Sequence, residues 1–358
     1  MSILKSWKGA RFVGLYASFP IEKYVQRTRI LVELLGLEQS LDFNTMKFGR
    51  LSKGVRKTRF TNERLSEVLK SLETGENDRL QLYSSPSDND WIKAQENQTL
   101  LSWKSSVIEP INRPTSPVDK RFGSAGSVVA TYPLSRFEVD SESPFELKLL
   151  QLVKRLSREQ NLNWAFVHEG FRPKRPLSVG EDDIFQETRE KFPLTSFDAD
   201  LDIAVFFKEF VKGAFWANFL NPTHVERLGG LERIIENRPS PIVEEIGQER
   251  VLLRMGASPL LADYDKAAHD YQRLREFLRP ILLETPEDRQ KFQMEVLGSW
   301  RPPGYVQIGR KCRLNRRIVV ASPGPRSRMR CPRPEQDDER DRKAFICRLT
   351  RKRMRCSR

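Results

Sequence analysis

All four cysteines of this 358-residue chain (Cys312, Cys331, Cys347 and Cys356) lie in its last 58 residues, and so does all of its net positive charge. Residues 301–358 carry 19 Lys+Arg against 5 Asp+Glu, a net of +14, while residues 1–300 carry 43 of each sign and are electrically balanced. Two compositions are therefore joined near Trp300. The overall pI of 9.7 describes the end of the chain, not the body. A strongly basic protein invites a nucleic-acid reading, but the first 300 residues give it no support.

The final segment has 16 arginines, six prolines and no sustained apolar period of 2 or 3.6. Too little apolar surface is present to offset chain entropy, which predicts disorder. Three readings compete. An abrupt rise in Arg, Pro, Gly and Cys is what an out-of-frame reading of a GC-rich gene produces, so the segment reads first as a non-native C-terminus. An arginine-rich arm neutralising phosphates comes second. A zinc site comes last, because the cysteine spacings of 19, 16 and 9 residues form no paired motif.

The body, residues 1–300, reads as an α+β domain with mixed or antiparallel sheets and helices packed on one face. Strands are predicted at 11–17, 79–83, 128–132, 164–167, 201–207, 215–220 and 251–255. A helix opening at Pro20 carries Ile21, Tyr24, Val25, Leu31, Val32 and Leu35 at spacings of three and four. Thr61 or Asn62 caps a second helix, and Ser143-Pro144-Phe145-Glu146 reads as a capping box with proline at the first helical position. A short helix over 222–228 is closed by Gly229-Gly230, and a long one runs from about Asp263 to Leu283. Residues 45–60 read as basic and irregular. The proline-bearing stretch 84–121 is the candidate internal boundary, near 110–120. Irregular interleaving of strands and helices argues against a parallel βαβ sheet.

No apolar run approaches the roughly 20 residues of a spanning helix, so no membrane partner is expected. The N-terminus Met1-Ser2-Ile3-Leu4-Lys5 meets a charge before any apolar stretch, which predicts no signal peptide and a cytoplasmic location.

Catalytic signals are few. Asp198, Asp200 and Asp202 fall on one face of an extended segment. Such a trio could hold Mg²⁺ in a nucleotidyl-transfer or nuclease-type enzyme. A nucleotidyltransferase would also need a Gly-Ser turn a short way upstream, and Gly123-Ser124 lies far away. The commoner explanation is an acidic loop or a patch facing a basic partner. His168, beside Glu169, shares a strand face with Trp164 and Phe166 and could form an acid/base pair, although a buried, hydrogen-bonded histidine is the usual case. His224 reads as capping geometry and His269 as solvated. No cysteine nucleophile, Gly-x-Ser-x-Gly elbow, Walker loop or Gly-x-Gly-x-x-Gly occurs in the body. No catalytic residue, metal or cofactor is therefore assigned. The basic stretch Lys47, Arg50, Lys53, Arg56, Lys57 and Arg59 could bind nucleic acid or be solvated.

Several segments, in order, resemble the bacterial immunity protein 52 family over about residues 10–285. They are VGLYASFPIEKYVQRTRILVELLGL, FGRLSKGVRK, NERLSEVLKSLETGENDR, SVVATYP, FWANFL and VEEIGQERVLLRM. Tyr16-Ala17 stand where that family usually has a tryptophan. The resemblance implies a non-catalytic antidote of a polymorphic-toxin system that occludes a cognate toxin, in some cases a nuclease. By residue type, the expected contacts are Asp198, Asp200 and Asp202 with the aromatics Phe215 and Trp216. Nucleic acid would then bind only through the basic tail.

Overall fold

Gly9–Pro20 forms β1, in which Val13, Leu15, Ala17 and Phe19 alternate with Phe12 and Tyr16. Period-2 alternation sends these two sets to opposite faces. Both sets are apolar, so the strand must be covered on both sides. The computed structural model describes residues 9–21, 26–37, 43–50, 54–84, 93–94, 98–106, 125–138, 144–173, 207–260 and 264–283. The chain divides at Trp300, and residues 301–358, including the readings of the basic segment, lie outside the described residues.

The helices are α1 (Gln26–Leu37), α2 (Asn62–Glu73), α3 (Phe145–Glu159), α4 (Pro222–Arg227), α5 (Leu231–Asn237) and α6 (Tyr264–Leu278). The further strands are β2 (Thr45–Arg50), β3 (Gly54–Arg59), β4 (Arg79–Tyr83), β5 (Leu100–Ser106), β6 (Ala125–Tyr132), β7 (Trp164–Pro173), β8 (Ala217–Leu220), β9 (Ile242–Gly247) and β10 (Arg250–Arg254). All ten strands form one sheet in the order β3-β2-β4-β5-β6-β1-β7-β8-β10-β9. Every pairing between neighbours is antiparallel. β1 thus sits near the middle, between β6 (Leu15 opposite Ala130) and β7 (Leu15 opposite Val167).

The α+β class and the antiparallel sheet are as read from the sequence. The helices flank both faces rather than one. On one face Leu31 and Leu34 of α1, Leu72 of α2 and Leu149, Val153 and Leu156 of α3 pack on Leu15, Leu82, Val128 and Val167. On the other face Val225 of α4, Ile234 of α5 and Leu274 and Leu278 of α6 pack on Trp164, Phe166, Val251 and Leu253. The two-sided apolar strands β1, β7, β8 and β10 require this second layer, since one helical layer would leave half of each strand wet.

Three local expectations change. Residues 45–60 form the β2–β3 hairpin, with Lys47 opposite Lys57. β5 lies inside the stretch read as loop, and it pairs with β6, so residues 107–124 connect adjacent strands of one sheet. Pro144, not Ser143, occupies the N-cap of α3 and makes no side-chain cap bond. The strand expected at 201–207 falls mostly outside the described residues, with a 3₁₀ turn at Phe207-Lys208.

Two turns show their sequence logic. Gly229 and Gly230 end α4 with φ of +97° and +95°, values a side chain resists. The β9–β10 turn instead places Gln248 and Glu249 at φ of +54° and +56°. That is the type I′ geometry that Asn-Gly supplies without strain. Replacing the pair with Asn-Gly is expected to stabilise the fold by about 1 kcal/mol, seen as a Tm rise of a few degrees. An unchanged or lowered Tm would show that these two residues are not strained there.

Candidate functional site

β7 carries the one residue pair whose chemistry suggested catalysis. Along it Trp164, Phe166 and His168 face α6, while Ala165 and Val167 face α1 and α3. Neighbouring residues of a strand point to opposite faces, so His168 and Glu169 cannot act on one substrate atom. Glu169 is fully buried and accepts a hydrogen bond from Arg11 Nε at 2.5 Å, with Arg11 Nη2 completing the ion pair.

His168 is fully buried too. Its Nδ1 accepts a hydrogen bond from the Trp216 backbone N–H at 3.1 Å, which assigns the ring proton to Nε2. The ring lies 5.3 Å from that of Phe215 and 5.6 Å from that of Tyr271. Burial among these rings lowers its pKa to about 3. Burial, and second the charge of Glu169, push the Tyr271 hydroxyl up, so it stays protonated. His168 is a neutral acceptor that ties the backbone before β8 to β7.

His224 holds a second such position. Asn221 caps α4 by accepting from the His224 N–H at 2.8 Å, and His224 Nδ1 accepts from the Asn221 N–H at 3.3 Å. Asn221 Nδ2 also donates to the carbonyls of Asn163 at 2.7 Å and Lys208 at 2.8 Å. The capping role read from the sequence is thus the observed one. Burial, aided by the charges of Arg227 and Arg250, lowers the His224 pKa to about 3. His269 is 87% exposed, as expected.

The aromatic pair expected at a partner surface is interior. Phe215 stacks on Phe166 at 4.0 Å between centroids and is 5% exposed, and Trp216 is 1% exposed. Trp216 Nε1 donates to Gly256 O at 3.2 Å, and its carbonyl accepts from Met255 N–H at 2.8 Å. Neither side chain can meet a partner in this conformation. In the segment that leads into β8, Phe215 joins the cluster on the α6 side of the sheet and Trp216 the cluster on the α3 side. Asp198, Asp200 and Asp202 lie outside the described residues. Among the described residues no group of three or more His, Cys, Asp or Glu is placed to hold a metal ion, and no helix is long and apolar enough to cross a membrane.

The surface chemistry that remains is polarised between the two sheet edges. β9, at one end of the strand order, bears Glu244 and Glu245. Glu244 is held by Lys154 Nζ at 2.6 Å from both carboxylate oxygens, while Glu245 is exposed. β3, at the other end, bears Arg56, Lys57 and Arg59, all exposed. Between that hairpin and α2 lies an open cleft of about 400 Å³ whose walls include Phe48, Arg56, Lys57, Thr58, Arg64 and Glu67. The charges of this edge were legible in the sequence, but its strand character was missed. The apolar alternation of Met46 and Phe48 with Lys47 between them was the available signal.

Among the described residues, then, a ten-stranded antiparallel sheet and its helices carry two neutral, buried histidines, with charged side chains at both sheet edges. Residues 196–297, which include β8 to β10 and α4 to α6, match the family described as TsiV, type VI immunity for VRR-NUC. The fold as a whole is similar to that of the Pseudomonas aeruginosa T6SS protein PA0821, with a TM-score of 0.52 at 17% identity, over 77% of this chain and 74% of that one. No curated protein matches the sequence. The family match supports a bacterial immunity-protein family for that segment, and the structural likeness shows the fold alone. The match carries the resemblance read from the sequence at that level, and not to the immunity protein 52 family in particular.

Proposed function

We propose that this chain is a non-catalytic antidote acting in the cytoplasm, and that its partner is a VRR-NUC nuclease toxin whose active cleft it occludes. The match of residues 196–297 to an immunity family for VRR-NUC carries this reading. The separation of His168 from Glu169 across the sheet, and the neutrality of His168, are consistent with a protein that acts by contact.

A nuclease must attract a polyanion, so its channel is electropositive. An acidic face suits that channel, raising the association rate and excluding wrong partners. Asp198, Asp200 and Asp202 are the proposed acidic contacts, and the balanced body, residues 1–300, is the proposed binding domain. Co-expression with a VRR-NUC toxin from the same source tests the reading. Growth arrest by the toxin alone is expected, with rescue by the antidote and poorer rescue by the triple Asp→Asn variant at 198, 200 and 202. Arrest that persists despite soluble antidote would refute it.

A further inference from the structure

We propose that the β2–β3 edge docks an extended acidic segment of the protein partner, which adds to β3 as a further strand. This deepens the antidote reading by naming a second contact, of opposite charge to the aspartates. Among the described residues β3 is paired on one side only, so alternate residues present N–H and C=O groups outward. Its first four residues, Gly54–Lys57, are all exposed, and Val55 is 49% exposed.

Charge selects the occupant. Among the described residues Arg56, Lys57 and Arg59 have no ion-pair partner. By contrast, Arg29, Lys154, Arg155 and Arg227 are each engaged by a carboxylate. Arg64 adds a fourth cation from α2, held toward the strand by its hydrogen bond to Thr58, and Glu67 is the one acid among the named cleft walls. Lys57 and Arg59 share one face of β3, and Lys47 stands directly opposite Lys57, so these cations repel one another unless an anion lies between them. An alternating acidic strand supplies that anion: its backbone pairs with the open edge while its carboxylates, all on one face, meet Lys57 and Arg59.

Nucleic acid fits less well. Single strands need exposed aromatic platforms for their bases, yet the aromatics of this hairpin, Phe48 and Phe60, are packed against the core. Glu67 in the cleft would also repel phosphate.

The test uses fluorescence anisotropy on the full chain with three probes. One is a labelled octapeptide of alternating Glu and Val, one is a peptide of the same charge with a central proline, and one is a DNA duplex of twenty base pairs. The alternating peptide is expected to bind, with at least tenfold loss on inserting proline and at least tenfold loss in K57E/R59E. Both variant residues are exposed, so Tm is expected to hold. No peptide binding, equal binding of both peptides, or tighter binding of DNA through the same residues would overturn the proposal. In parallel, R56E/K57E is expected to weaken capture of the toxin at least tenfold. Undiminished capture by that variant would also overturn it, whereas failure of the unmodified chain to capture toxin bears on the antidote reading alone.

Discussion

Acidification from pH 7 to pH 5 is expected to remove about 4 kcal/mol of folding stability. His168 and His224 each have an ordinary pKa of 6.5 when unfolded and about 3 in the folded protein. Between those values the unfolded chain binds more protons than the folded one. Stability therefore falls as pH falls through this window, and is fully present above pH 6.5. Each histidine contributes about 1.4 kcal/mol per pH unit over most of that range. Against a total of about 5–15 kcal/mol this is large, and a Tm drop of roughly 10 °C follows for a body of this size. The difference between the unmodified chain and His168→Gln/His224→Gln isolates the effect from carboxylate titration. Glutamine can accept both backbone hydrogen bonds, and at the third position of α4 it preserves the capping box. The double variant is expected to lose the steep segment between pH 6.5 and 5. A slope that survives both substitutions would mean the histidines are not the source.

Trp216→Ala is the second large effect. The side chain fills the α3 side of the sheet, and its indole N–H holds Gly256 O at 3.2 Å. Removing a buried tryptophan costs about 3–5 kcal/mol through lost burial and the cavity left behind. The Gly256 carbonyl is only half-buried and can find water, so the cavity dominates. A Tm fall of roughly 10 °C is expected by calorimetry, with toxin capture lost only in step with the folded fraction. The two roles considered for this residue separate here. A surface anchor replaced by alanine would leave Tm unchanged and abolish capture, and that result would contradict the interior placement.

The difference between what the sequence revealed and what it hid follows the strand period. The Thr61 cap, the Asn221–His224 box and the Gly229-Gly230 stop are local chemistry, and each was legible. Phe215 and Trp216 read as contact residues by type, because aromatic anchors dominate protein interfaces. They are interior because the segment leading into β8 sends one ring to each of the two helix-covered faces of the sheet, and that coverage depends on partners far along the chain. The β2–β3 hairpin was hidden by its own charges, since only Met46 and Phe48 carry the apolar alternation while β3 is solvated on its outer edge. β5 and β9 were lost for related reasons. β5 begins among residues rich in turn signals, and in β9 the adjacent Glu244-Glu245, the first held by Lys154, interrupts the apolar pattern between Val243 and the buried Ile246.

The central claim is that this body neutralises its partner by contact and stoichiometry rather than by chemistry. It is tested by titrating the purified chain into the purified VRR-NUC toxin while following cleavage of plasmid DNA. Cleavage is expected to fall linearly and to stop at one equivalent, with His168→Gln as effective as the unmodified chain. Inhibition complete at a small fraction of an equivalent, or cleavage that continues with antidote in excess, would contradict it.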